Sequence, residues 1–225
     1  MMTSMKHRQL TALLVLGLGL VPCCGQSDRP PLVICCAGDS LMRPMPHYFR
    51  QLLPSLSPNF VIEEWAQGGL GSATYQSFYN QHAERWRRVA PDFILLQIGT
   101  NDAAPLAEGR SSPDDFQANL TAIIREFQSY RNPAGKAALV LVATVPLFSD
   151  DPVHAGKNQM VKDIINPAIR RAAESAGALL ADNFSVLNGK PELYDPDGVH
   201  PNVQGEEALA KNWVKAMKAC LERKG

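Results

Sequence analysis

The chain has 225 residues, of which 45% are apolar and 20% charged, with 22 Lys plus Arg against 22 Asp plus Glu. That length is enough for one domain with a sizeable core, and the composition is ordinary for a soluble globular protein. The charge balance gives nothing that points to nucleic acid, and no internal repeat of the solenoid or propeller kind is visible.

The N-terminus opens with a basic stretch, Lys6, His7 and Arg8, followed by the apolar run LTALLVLGLGLV from Leu10 to Val21. A bilayer span needs about 20 apolar residues, so this shorter run predicts a signal peptide over residues 1–25. The polar QSDRPP of residues 26–31 reads as a linker. The mature chain, residues 26–225, is expected to carry one domain, residues 32–225, and a slight negative excess once Lys6 and Arg8 are lost. Cys23 and Cys24 stand where the lipidated cysteine of an exported lipoprotein would be, although Pro22 is a poor match to the small residue expected before it. A periplasmic, envelope-anchored or secreted protein is the expectation.

Strand-like and helix-like segments then alternate. Leu32–Ala37 predicts a strand, and His47–Leu56 a helix interrupted at Pro54. Phe60–Trp65 predicts a strand, and Tyr75–Val89 a helix that stops before Pro91. Phe93–Ile98 is a continuous apolar strand of the kind buried on both faces. Ser112-Pro113-Asp114-Asp115 combines a cap, a proline at the first helical position and acids at the positive end of the dipole, so it starts a helix running to about Tyr130. Ala138–Thr144 is a second buried strand. Gln159–Ala176 is helical with a kink expected at Pro167, Leu179–Asp182 is a short strand, and Gln204–Arg223 closes the chain. In that last helix Leu209, Trp213, Met217, Cys220 and Leu221 share one face. This alternation predicts a parallel sheet of about five strands with helices on both faces, and ligands bind such sheets beyond the carboxyl ends of the strands.

Three cysteines remain in the expected mature domain, Cys35, Cys36 and Cys220. Export permits a disulfide, but three thiols leave at least one unpaired. No CxxC pair or Cys/His cluster suggests zinc, and no metal or cofactor is expected.

Four stretches that follow predicted strands carry candidate chemistry. CAGDSL places Ser40 where the first strand ends, as a nucleophile or only a helix cap. AQGGLGSAT, residues 66–74, offers glycines whose backbone can approach a substrate closely, or only a flexible turn. IGTNDAA places the Asn101 amide after the buried third strand, as an oxyanion donor or as part of a common turn. YDPDGVHPN sets Asp197 three residues before His200 in a turn, where carboxylate and imidazole can hydrogen-bond; alone it reads equally as a surface turn. Of the five histidines, His47, His82 and His154 show no acid expected to orient them. Serine hydrolysis requires a nucleophile, a base, a group orienting the base and donors for the oxyanion, and these stretches could supply all four.

Taken in order, GDSL at 38–41, the glycine turn, GTND at 99–102 and DGVH at 197–200 resemble the SGNH (GDSL-type) esterase superfamily across nearly all of residues 32–222. The resemblance implies a flavodoxin-like three-layer α/β/α fold and ester hydrolysis by an exported bacterial member. It implies Ser40 as nucleophile, His200 as base and Asp197 as the acid orienting it. It further implies an oxyanion hole from the N–H of Ser40, the Asn101 amide and a glycine N–H. Gly69 is favoured for that last donor, with Gly71 as the alternative, because Ala73 stands where many members carry Ser or Thr after Gly71. Small residues after GTND look like the carbohydrate-ester members, so acetyl esters of an envelope or extracellular polysaccharide are the expected substrates. A lysophospholipase or thioesterase, and an O-acetyltransferase, are the alternatives. Arg43, Trp65, Phe148 and His154 are candidate substrate contacts, each read equally as ordinary packing or solvated surface. Oligomeric state is not legible.

Overall fold

The computed structural model describes residues 30–222. The expected signal peptide, with Cys23 and Cys24, and residues 26–29 of the linker lie outside the described residues. Five strands, β1 (Leu32–Gly38), β2 (Phe60–Ala66), β3 (Phe93–Gln97), β4 (Leu139–Ala143) and β5 (Leu179–Ala181), form one all-parallel sheet in the order β2-β1-β3-β4-β5. This is the doubly wound order, whose strand sequence reverses between β1 and β3 and opens a crevice at their carboxyl ends.

The helices among the described residues are α1 (Met45–Leu52), α2 (Ser72–Arg87), α3 (Ala103–Ala107), α4 (Pro113–Gln128), α5 (Ala155–Met160), α6 (Asn166–Ala176), α7 (Asn183–Leu187) and α8 (Val203–Glu222). They cover both sheet faces because the central strands β3 and β4 are apolar at every position but Gln97, which ends β3. Ile34, Cys36, Phe93, Leu95 and Leu141 point into one core with Phe49 of α1 and Trp213 and Met217 of α8. Cys35, Ala37, Ile94, Leu96 and Val142 point into the other with Tyr75 of α2, Phe127 of α4 and Ile169 of α6. Leu95 and Leu141 are wholly buried, and truncating such a side chain to Ala typically costs about 2–5 kcal/mol. The expected three-layer α/β/α architecture is present.

Several details differ from the sequence reading. The first helix ends at Leu52, and Leu53–Ser55, around Pro54, tightens into a 3₁₀ turn. The helix expected over Gln159–Ala176 begins earlier and is three pieces. Between α5 and α6, Val161–Ile165 is a π-helical stretch, and the Asn166 N–H reaches back to the Val161 carbonyl. Pro167 therefore sits in the first turn of α6, where its missing N–H is tolerated, and the distortion lies upstream of it. The five-residue helices α3 and α7 were not anticipated. Cys35 and Cys36 are buried free thiols, raised in pKa first by that burial. Cys220 is buried in α8, its Sγ 3.0 Å from the Ala216 carbonyl.

Candidate active site

The end of β1 is shaped by Gly38 and Asp39. Gly38 has φ +130°, and a Cβ there would overlap the Gln97 carbonyl at the end of β3. A side chain at this point would drive the two strands apart. The Asp39 N–H donates to that same carbonyl at 2.9 Å. The Asp39 carboxylate turns back and accepts the Leu41 N–H at 3.0 Å. Asp39 is wholly buried, and burial pushes its carboxyl up to about 7 against the pull of the Leu41 N–H. The next residue, Ser40, is lifted out of the strand at the crevice. Its own N–H has no acceptor among the described residues.

The histidine comes from the turn between the 3₁₀ stretch Pro191–Leu193 and α8. Asp197 Oδ1 accepts the N–H groups of Val199 and His200, each at 2.9 Å, and Oδ2 lies 2.7 Å from His200 Nδ1. One carboxylate thus builds the turn and orients the ring. Partial burial works against its charge, but the His200 ring and the two N–H groups outweigh this and hold Asp197 at about 2. The opposite ring nitrogen, His200 Nε2, lies 3.0 Å from Ser40 Oγ. Two residues 160 positions apart are therefore joined in a Ser–His–Asp chain.

Asn101 follows β3 in a 3₁₀ turn, Thr100–Asp102. One of its amide hydrogens donates to the Leu70 carbonyl at 3.0 Å, which ties it to the glycine loop and leaves the second hydrogen uncommitted. The loop itself separates the two glycine candidates. The Gly71 N–H is engaged by Thr74 Oγ1 at 3.0 Å, whereas the N–H groups of Gly68 and Gly69 have no acceptor among the described residues. Gly68 stands close to the serine, for a Cβ on it would lie 3.8 Å from Ser40 Cβ. Asp102 anchors the loop. Its carboxylate accepts the Ser72 N–H on both oxygens at 2.9 Å and the Ser72 hydroxyl at 2.7 Å. Burial raises the Asp102 pKa, and the Ser72 bonds oppose it.

The sequence profile described as the GDSL-like lipase/acylhydrolase family matches residues 34–208, which spans every element of this site. The chain belongs to that family. Among curated relatives, a multidomain esterase of Ruminococcus flavefaciens is 28% identical over 139 residues, 60% of this chain and 17% of that protein. An acetylxylan esterase of Xylanibacter ruminicola is 21% identical over 210 residues, 82% of this chain and 43% of that protein. The chain thus spans less than half the length of either. The crystal structure of a lipase/acylhydrolase from Enterococcus faecalis has the same fold, with a TM-score of 0.69 at 17% identity over 84% of this chain and 96% of that one.

In this GDSL-family chain two of the candidate substrate contacts take the packing alternative. Trp65 is 1% exposed, stacked on Trp86 with centroids 4.5 Å apart, so it belongs to the core between β2 and α2. His154 does have an orienting acid: its Nδ1 lies 2.8 Å from Asp151 Oδ2. Its ring is buried and stacked on Phe148, centroids 5.4 Å apart, so neither presents a broad face to solvent. Arg43 is exposed at the rim, its Nη1 also 3.8 Å from the place a Gly68 Cβ would take. His47 and His82 pair with Gln51 and the Phe78 carbonyl and take no part. The Asp102–Ser72 anchor was not anticipated; the acid of GTND was its available signal.

Proposed function

We propose that the protein is a serine carboxylic-ester hydrolase that removes short acyl groups, acetyl above all, from hydroxyls of a carbohydrate polymer. The observation that carries this reading is the continuous hydrogen-bonded path from Ser40 Oγ through His200 to Asp197. Ser40 attacks the ester carbonyl while His200 Nε2 takes its proton, and Asp197 supports the imidazolium from the other side. The oxyanion is received by the N–H groups of Ser40 and Gly69 and by the free amide hydrogen of Asn101. His200 then protonates the leaving sugar hydroxyl. Water, deprotonated by the same ring, releases the acid from the acyl-enzyme.

The carbohydrate part of the reading is supported by the name of the acetylxylan esterase relative. We place the enzyme outside the cytoplasm, as a periplasmic, envelope-anchored or secreted protein, on the basis of its basic and then apolar N-terminus.

The test is hydrolysis of p-nitrophenyl acetate and octanoate, and acetate release from acetylated xylo-oligosaccharides, by residues 26–225 beside Ser40→Ala. We expect acetate esters to be preferred and the variant to be inactive. Preference for octanoate would replace this reading with a lipid or thioester hydrolase. Acyl transfer to added glycan in place of acetate release would make it a transferase.

A further inference from the structure

The chain contains a second copy of the turn that carries His200. Asp151-Pro152-Val153-His154 repeats the spacing of Asp197-Gly198-Val199-His200, and it repeats the geometry. The His154 N–H donates to Asp151 Oδ1 at 3.0 Å, and His154 Nδ1 lies 2.8 Å from Asp151 Oδ2. The corresponding contacts in the other turn are 2.9 and 2.7 Å. A serine is present here too, but it is wired differently. Ser149 Oγ donates to Asp151 Oδ2 at 2.5 Å, so its proton goes to the carboxylate. His154 Nε2 has no partner among the described residues. A nucleophile needs its hydroxyl on the free nitrogen of the base, so this cluster is not a second hydrolytic centre.

What it touches is the first turn. The Ser149 N–H donates to the Gly198 carbonyl at 2.6 Å. A Cβ on Gly198 would overlap the Ser149 hydroxyl and come within 3.2 Å of His154 Cε1, so the cluster packs directly on the residue between Asp197 and His200. Two further side chains fix it there. Tyr194 Oη donates to the Leu147 carbonyl at 2.5 Å. Asn158 of α5 takes the Phe148 N–H on Oδ1 at 2.8 Å and donates to the Phe148 and Ser149 carbonyls at 3.3 and 3.2 Å. The side chains of His200 and Asp197 are 43% and 50% exposed, so the solvent side contributes little to holding them. Gly198, by contrast, is buried beneath Ser149 and His154.

We propose that Ser149, Asp151 and His154 are positioning residues that brace the Asp197–His200 turn, so that Nε2 stays within hydrogen-bond reach of Ser40. This rests on the serine-esterase reading above. Asp151 closes the upper turn around His154, His154 and Ser149 fill the space left by Gly198, and the Ser149 N–H holds its carbonyl. A displacement of about 1 Å at such a base can cost a hundredfold in rate.

The experiment compares wild type with His154→Ala, Ser149→Ala and His154→Asn. The last keeps an amide N–H where Nδ1 stands. Initial rates on p-nitrophenyl acetate give kcat and KM separately. In protein carrying ¹⁵N-histidine, the downfield proton shared by His200 and Asp197 reports the turn without any turnover. We expect kcat to fall about tenfold or more in His154→Ala and Ser149→Ala with KM little changed. The His200 proton should move or broaden, with both readouts partly restored in His154→Asn. A kcat within twofold of wild type together with an unmoved His200 resonance, in folded variants, would overturn the brace. Should wild type hydrolyse no ester, the serine-esterase reading fails by itself, and the resonance still decides whether these residues hold the turn. If His154→Ala does not fold, Ser149→Ala, which removes one hydroxyl and keeps its backbone bond, carries the test.

Discussion

The two Asp-x-Val-His turns make the same local structure and do different things. In each, a carboxylate binds the backbone N–H of the histidine three residues on and then its Nδ1. The difference lies at the far nitrogen. His200 Nε2 meets Ser40 Oγ at the crevice between β1 and β3, while the His154 ring is stacked on Phe148 against the first turn. A DxxH spacing therefore specifies an oriented imidazole and not a catalytic one. The sheet topology, by placing a hydroxyl within reach, assigns the role.

The largest effects should separate the turns most sharply. Ser40→Ala and His200→Ala should each lower kcat by about 10⁴-fold or more, whereas Asp151→Asn, which acts only through Asp197 and His200, should cost about tenfold. Equal losses in His200→Ala and Asp151→Asn on p-nitrophenyl acetate would mean that the roles are not divided as we describe. Next comes the point where the turns touch. Gly198 has φ +66°, and a methyl there would overlap the Ser149 hydroxyl. Gly198→Ala should therefore cost about a hundredfold in kcat while leaving the secondary structure seen by circular dichroism intact. A rate near wild type would uncouple the two turns. Asn101→Ala removes a donor outside both turns and should lower kcat by about 10²-fold, or ~3 kcal/mol of barrier. An undiminished rate would remove Asn101 from the oxyanion site.

How much of this could be read beforehand depended on how local each signal was. β3 and β4 were legible because strands buried on both faces are continuously apolar, and the site blocks because each follows a strand end. The helices α3 and α7, with five residues each, are too short to show a period. The π-helical stretch before Pro167 is a backbone hydrogen-bond pattern that no side-chain period displays. Trp65 stayed open between contact and core because one side of the edge strand β2 runs from exposed Val61 to buried Trp65, and only the packing of α2 shows where the cover begins. The acid partner of His154 was present at the same spacing as that of His200. It was overlooked because its turn has one proline and no glycine, and so did not look like the other.

A final contrast concerns two carboxylates near the serine. Asp197, half exposed and bound by an imidazole and two N–H groups, is held at about 2. Asp39, wholly buried beside Ser40, is pushed up from 3.8 to about 7. The unfolded chain releases the Asp39 proton near its ordinary value, but the folded chain keeps it until about pH 7. Between those limits the unfolded state binds fewer protons, so Asp39 makes stability fall as pH rises through the window and level off above it. At about 1.4 kcal/mol per pKa unit, the full loss is on the order of 4 kcal/mol. Asp39→Asn keeps an acceptor for the Leu41 N–H and has no proton to lose. Urea midpoints at pH 4, 6 and 8 should therefore show the variant gaining on wild type as pH rises, with most of the gain complete by pH 8. Asp197 contributes in the opposite sense: its stabilisation is present above its ordinary pKa and is lost as pH falls toward about 2. Parallel pH curves for wild type and Asp39→Asn would mean that the buried carboxyl is ionised at neutral pH, and that the strand end beneath Ser40 holds a negative charge and not a proton.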